Sequence, residues 1–184
     1  MASEFAIRHA AHQIRHGGVI AYPTETVYGL GCDPMNFEAV QYLTKLKNRN
    51  IGKGLILLAS DLDQLKSFIN VPDKKDREKI QQTNKPTSWI VPAKDHVPDW
   101  LTGNTRTLAV RISNHPVVQK LCQQLDSPLV STSANPSGKK PAINALQLHT
   151  YFQDTISAIL ISDDEQCGQP STLKWLHDDK IVRA

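Results

Sequence analysis

Cysteine is scarce in this chain and forms no pattern. Cys32, Cys122 and Cys167 are three in 184 residues, odd in number and without C-x-x-C spacing, which argues against a disulfide framework or structural zinc and for a reducing compartment. No apolar run approaches the ~20 residues needed to span a bilayer. The first residues mix His and Arg with Ala rather than forming an apolar signal-peptide core, so the expectation is a soluble, cytoplasmic protein with no membrane partner. An excess of charge of one sign is lacking as well: 21 Lys and Arg against 18 Asp and Glu leave a formal net charge of +3. That is too small to make nucleic acid an automatic partner, and cationic chemistry has to be sought locally. Aromatic residues are 6% of the chain, and Trp89, Trp100 and Trp175 lie too far apart to read as a base-stacking platform, so they are assigned to packing. The Walker loop, the G-x-G-x-x-G fingerprint and the nucleophile elbow are all missing, as are internal repeats, low-complexity tracts and linkers.

What is present alternates helix and strand. Ser3 caps a first helix with Ile7, Ala10, Ala11 and Ile14 on one face, stopped by Gly17-Gly18. His9, His12 and His16 share the opposite face at metal-like spacing and are read as solvated. Val19 to Tyr22 is a strand, the region from Pro23 to Pro34 a loop, and Asn36 caps a second helix burying Ala39, Val40, Leu43 and Leu46. Leu55 to Ala59 reads as a strand covered on both faces, and Leu62, Leu65 and Ile69 as a short helix. The charged stretch from Asp73 to Lys79 reads as a solvated helix. Strands are expected at Ser88 to Val91, Leu108 to Ile112, Leu129-Val130 and Ile156 to Ile161, with a last extended piece from Lys180 to Arg183. Helices are expected from His115-Pro116 to Leu125 and from Asn144 to Phe152. His115 is read as a helix-start residue rather than a general base. The fold class is α/β: one domain over residues 1–184, with a twisted mixed sheet and flanking helices.

Three clusters could carry chemistry. Ser131-Thr132-Ser133-Ala134-Asn135-Pro136-Ser137-Gly138 packs four hydroxyls and a carboxamide after an apolar run, and Pro136 and Gly138 end any ladder. It reads as the polar mouth of a strand facing a ligand, or else as a solvated turn capping a following helix. Thr24-Glu25-Thr26-Val27-Tyr28-Gly29-Leu30-Gly31 sets hydroxyls and an acid before two glycines that permit close backbone approach, or else is a β-rich segment with a bulge. Lys47, Arg49 and Lys53 follow a helix end and form either a fork for a triphosphate or simple partners of the helix dipole.

Taken together, Tyr22 to Pro34, Leu46-Lys47-Asn48-Arg49 with Lys53 to Leu57, Leu108 to Arg111 with His115-Pro116, and Ser131 to Gly138 resemble the YrdC/TsaC family of threonylcarbamoyl-AMP synthases, in its short bacterial form. The resemblance implies a YrdC-like fold with a concave cationic cavity. It implies an enzyme, a nucleotidyltransferase joining L-threonine, bicarbonate and ATP into threonylcarbamoyl-adenylate and pyrophosphate. A partner transferase complex then passes the threonylcarbamoyl group to an adenosine beside the tRNA anticodon. Lys47 and Arg49 match the family's K-x-R motif and are the implied catalytic residues. ATP would be held by Lys47, Arg49, Lys53, Ser88, Ser131, Ser133, Asn135 and Arg183, and threonine by Thr24, Thr26, Arg111 and Ser171. No protein-held metal site is implied; Mg²⁺ would arrive on the ATP phosphates. The residue chemistry agrees with such a reaction, which asks for positioning and charge neutralisation rather than a covalent nucleophile.

The sequence departs from the family at Arg49-Asn50, where Pro commonly follows Arg, and at Thr83 to Ser88, where a Trp-Pro-Gly-Pro-x-Thr loop keeps only Pro86 and a hydroxyl at Ser88. Two other readings stand beside the enzyme. One is a module binding double-stranded RNA or tRNA in the same concavity without chemistry, with direct RNA contact left open. The other is a domain related to larger hydrogenase-maturation proteins. Cations concentrated in short loops favour a small anionic ligand over an extended RNA surface.

Overall fold

The computed structural model describes residues 2–48, 54–82, 85–162 and 168–183. Helix α1 (Glu4–Arg15) begins where Ser3 accepts a hydrogen bond from the Ala6 N–H, and it buries Ile7, Ala10, Ala11 and Ile14. The histidine face is exposed, with His12 and His16 stacked at 4.1 Å between ring centroids. Strand β1 (Ile20–Tyr22) follows, then β2 (Gly29–Gly31), which lies inside the segment expected to be loop. Asn36 caps α2 (Phe37–Leu46), whose end is turned by Asn48 at φ +47°. Strand β3 (Ile56–Ala59) comes next. The helix expected around Leu62 to Ile69 is a single 3-10 turn, Asp63–Leu65. Ser60, Asp61 and Gln64 close a local turn there, and Ile69 is drawn into a bridge with Ala93.

Helix α3 (Lys74–Gln81) is the charged segment; Asp73 caps it and Ile80 alone of its residues is buried. Then come β4 (Thr87–Pro92), the short α4 (Asp99–Thr102) and β5 (Thr107–Ile112). Helix α5 (Pro116–Leu125) starts at His115, whose Nδ1 accepts from the Val117 N–H. Strand β6 (Leu129–Ser133) runs further than expected: Ser131, Thr132 and Ser133 belong to the ladder, and the turn begins only after them. Helix α6 (Ala145–Phe152) and β7 (Ala158–Ile159) follow. The strand expected over Ile156 to Ile161 shrinks to these two residues because its pairing partner is the short β1. Strand β8 (Thr172–Trp175), not foreseen, pairs antiparallel with β9 (Ile181–Arg183).

Among the described residues the strands form one mixed nine-stranded sheet in the order β7-β1-β2-β6-β3-β5-β4-β8-β9. Side chains alternate faces along each strand, and the two faces fare differently. Leu57, Ala59, Trp89, Val91, Leu108, Val110 and Val130 join one large core that also takes residues from α2, α4 and α6. On the other face Ile20, Tyr22, Leu58 and Leu129 pack against α1 and α5. On the same face stand Ser131 and Ser133, further along β6, and Ala109, Arg111 and Ser88 on the neighbouring β5 and β4. The sequence turns from apolar to polar where α1 and α5 no longer cover the sheet, and that polar half-face is where a cavity opens.

Candidate active site

The cavity has a volume of about 150 Å³, and its walls come from segments far apart in sequence. Ile56, Leu58, Ala109 and Leu173 give it an apolar floor, and Thr24, Thr26, Ser88, Arg111, Ser131, Ser133, Ser171 and Arg183 supply polar groups. Eight residues proposed from the sequence therefore converge on one space. Lys47 and Asn135 join at the rim through Ser133. Arg49 and Lys53 lie outside the described residues.

The loop after β1 is tied by its own hydroxyls. Thr24 Oγ1 lies 2.9 Å from Thr26 Oγ1 and donates to the Val27 carbonyl at 2.8 Å. Arg111 is 4% exposed; its guanidinium reaches Thr26 Oγ1 at 3.5 Å and Glu25 Oε2 at 3.4 Å. Glu25 Oε1 in turn accepts from Ser113 Oγ at 2.9 Å and from the backbone N–H groups of Asn114 at 2.6 Å and His115 at 3.2 Å. Burial pushes the Glu25 carboxyl up, but the Arg111 charge and these hydrogen bonds outweigh it and hold the group below its ordinary value. Across the cavity, Arg183 donates to the Ser171 carbonyl, and Ser171 Oγ lies 2.9 Å from Ser88 Oγ. Arg183 is lowered from its ordinary value by burial and then by the like charge of Arg111. Two guanidiniums thus line one small space, with the Glu25 carboxylate beside Arg111, a field an anion would relieve.

Lys47 is delivered by the end of α2 and is 6% exposed. Its ammonium donates to the Ser133 carbonyl, to the Asn135 carbonyl at 2.9 Å and to Asn135 Oδ1 at 3.0 Å. Asn135 Oδ1 also accepts from Ser133 Oγ at 2.6 Å, while its Nδ2 donates to the carbonyls of Pro136 and Lys139. The Asn135 carboxamide therefore ties the turn together and fixes the lysine. A turn is present as the alternative reading expected, but the helix that follows is capped by Asn144 rather than by a hydroxyl of this segment.

Tyr22, which carried no assigned role, explains the two glycines of β2. A Cβ on Gly31 would stand 2.5 Å from the Val130 carbonyl oxygen and 2.7 Å from Tyr22 Cε1, and one on Gly29 would stand 3.2 Å from the same ring. The close approach foreseen from Gly29 and Gly31 is made by an aromatic ring inside the protein. Tyr22 is fully buried, which drives its hydroxyl pKa upward and leaves it no acid–base role near neutrality. The Cys122 thiol is likewise pushed up to about 12 by burial, and Cys32 is raised by the same cause, so both are inert. Cys167 lies outside the described residues. No helix of the described residues is long and apolar enough to cross a membrane.

Comparison with known proteins fits this geometry. The Sua5/YciO/YrdC family model, described as "Telomere recombination", matches residues 12–184. Threonylcarbamoyl-AMP synthase of Pseudomonas aeruginosa is 42% identical over 184 residues, covering 100% of this chain and 99% of that protein. The enzyme of the same name from Hydrogenovibrio crunogenus is 50% identical over 139 residues, or 73% of this chain and 75% of that one. Among solved structures, P. abyssi Sua5 complexed with L-threonine superposes with a TM-score of 0.89 at 30% identity. It covers 97% of this chain, which in turn spans only 53% of that protein. E. coli YciO superposes with a TM-score of 0.86 at 26% identity, covering 98% of this chain and 89% of that one. A HypF structure at 19% identity and a TM-score of 0.82 shares the fold alone. The α/β fold and the match over nearly the whole chain define the class: a YrdC-type α/β protein with a polar cavity on its sheet. This chain belongs to the Sua5/YciO/YrdC family.

Proposed function

We propose that this protein is a threonylcarbamoyl-AMP synthase, making threonylcarbamoyl-adenylate and pyrophosphate from L-threonine, bicarbonate and ATP. The observation that carries the reading is the convergence of Thr24, Thr26, Arg111, Ser131 and Ser133 on one cavity, with Lys47 anchored at its rim. A space of about 150 Å³ suits an amino acid and a carbonate, well below the ~300 Å³ at which pockets for larger ligands begin. ATP would therefore lie across the rim, with its phosphates toward Lys47, Ser131, Ser133 and Asn135, while Ser88 and Arg183 reach it from the opposite wall; Arg49 and Lys53 remain assigned to ATP from the sequence alone.

In this mechanism Arg111 pairs with the threonine carboxylate, as guanidinium and carboxylate do through parallel hydrogen bonds. Thr24, Thr26 and Ser171 orient the rest of the amino acid. The unprotonated threonine nitrogen attacks the carbon of bicarbonate, water leaves, and a carbamate results. A carbamate oxygen then attacks the α-phosphorus, and pyrophosphate departs with its bond electrons. Lys47 and Arg49 neutralise the charge that grows on the phosphoryl oxygens, and no protein nucleophile takes part. Mg²⁺ would share the triphosphate charge. The oxygen ligands lining the cavity are hydroxyls, and the nearby Glu25 carboxylate is already engaged by four donors, a set that suits a cation carried in on phosphate rather than one gripped by side chains.

The product would pass to a threonylcarbamoyl transferase complex that modifies tRNA next to the anticodon, in the cytoplasm. The reading as an RNA-binding module gains no support from the relatives, which carry an enzyme's name. The test is product identity. With ¹³C-bicarbonate, threonine and ATP, mass spectrometry should find an adenylate one mass unit heavier than that made from ordinary bicarbonate. An adenylate lacking the label would refute the carboxylation step.

A further inference from the structure

Glu25 does not line the cavity, yet its carboxylate is held by four donors from β5 and the approach to α5. One carboxylate oxygen accepts from Ser113 Oγ and from the N–H groups of Asn114 and His115, which lead into α5. Those backbone donors sit at the positive end of a ten-residue helix, a natural seat for a carboxylate. The other oxygen faces the Arg111 guanidinium at 3.4 Å. Arg111 stands on β5, Glu25 on the loop after β1, and Ser113 to His115 on the approach to α5. A single side chain thus fastens three elements around one arginine.

We propose that Glu25 is a positioning residue for threonine: it sets the angle at which Arg111 presents its guanidinium to the substrate carboxylate. The inference rests on the synthase reading, since it takes Arg111 as the group that receives threonine. Arg111 has a like-charged neighbour in Arg183, which pushes it away, and Thr26 Oγ1 at 3.5 Å is a weak neutral restraint. Glu25 is an anionic partner that holds it from the side of the β1 loop. Without that restraint the guanidinium keeps its charge and gains freedom on that side, and ordering it again on binding costs affinity. ATP, seated at the Lys47 rim, does not depend on this restraint.

Glu25→Gln separates three roles, because it keeps the acceptor oxygen for Ser113, Asn114 and His115 and replaces the charged oxygen facing Arg111 with an uncharged NH2 group. Threonine and ATP binding are measured by calorimetry, steady-state KM and kcat by pyrophosphate release, and folding by thermal melting, on wild type, Glu25→Gln and Glu25→Ala. Positioning predicts that Glu25→Gln melts within a few degrees of wild type while threonine affinity falls about 5- to 10-fold, the order expected for one re-ordered side chain. The threonine KM should rise in step, with kcat and the ATP KM within about 2-fold of wild type, because the affected contact is uniform binding. Glu25→Ala should lose the loop anchor too and melt lower. Unchanged threonine affinity in Glu25→Gln would make Glu25 a strut only, and tighter binding of threonine and ATP together would make it a field effect; either overturns the proposal. Wild-type protein that binds threonine but releases no pyrophosphate would refute the synthase reading alone, and wild type that binds no threonine would refute both.

Discussion

Asn135→Ala tests how the mouth after β6 works. Four hydrogen bonds meet on the carboxamide: from Ser133 Oγ and Lys47 Nζ to Oδ1, and from Nδ2 to the carbonyls of Pro136 and Lys139. A typical net hydrogen bond is worth ~1 kcal/mol, and two of these partners sit in a solvated turn, so the set is worth about 2 kcal/mol. For a chain of this size 1 kcal/mol moves Tm by ~2–4 °C, and the ligand-free variant should melt about 4–8 °C below wild type. Lys47 keeps its bonds to the carbonyls of Ser133 and Asn135 but loses the oxygen that fixes its third direction. The upward Tm shift on adding ATP should therefore shrink as well. Asn135→Asp keeps an acceptor for Lys47 and loses the Nδ2 donors, so it should recover most of the ATP shift but little of the ligand-free stability. The assay is paired melting curves with and without ATP. A ligand-free Asn135→Ala protein melting within about 1 °C of wild type would refute the network argument, and a full ATP shift in that variant would remove Asn135 from the substrate machinery.

Lys47→Ala should cut turnover by about 10²–10³-fold, the scale of losing one charge-stabilising donor, and should also lower Tm by a few degrees because the Ser133 and Asn135 carbonyls and Asn135 Oδ1 lose a charged donor; steady-state kinetics and melting check both. Gly31→Ala should destabilise by ~1–3 kcal/mol, since its methyl would meet the rigid Val130 carbonyl as well as Tyr22; Gly29→Ala, which meets only side-chain atoms at 3.2 to 3.4 Å, should cost less, and urea unfolding of both measures the ordering. The folded Glu25 carboxyl lies below its ordinary value of 4.5, so the stability it contributes is fully present above that pH and is lost as pH falls through the folded value. The gap in urea midpoint between wild type and Glu25→Gln should accordingly close from pH 6 toward acid; a gap independent of pH would contradict the pairing with Arg111.

Much of this arrangement is legible in the residues themselves. The caps at Ser3, Asn36 and His115 are local chemistry and fall where short-range reasoning puts them. The same holds for the buried stripe of α1, for Ala39, Val40 and Leu43 of α2, where Leu46 is only partly buried, and for Lys47 at a helix end. What local chemistry cannot reveal is pairing. Strand β2 is three residues with two glycines, which have poor strand propensity, and it exists because the Tyr22 ring fills the space over it and β1 and β6 pair with it on either side. Strand β8 is amphiphilic and short, and it forms on the open edge of β4. Ser131 to Ser133 look like loop residues by composition, yet they continue the ladder because β2 and β3 flank them. Glu25 was visible only as an acid between two threonines; its value lies in partners 86 to 90 residues away. The alternation of faces along a strand puts Ala109 with Arg111 and Ser131 with Ser133 on one face, but neither stretch alternates polar and apolar residues, so the face could be assigned only once the pairing was known.

The central claim is tested most directly by pyrophosphate release from the purified protein with ATP and Mg²⁺, with threonine, bicarbonate or both omitted in turn. The account predicts release only when all three substrates are present, and its abolition in Lys47→Ala. Release at an undiminished rate without threonine and bicarbonate would contradict it and leave an ATP-hydrolysing activity that this cavity does not explain.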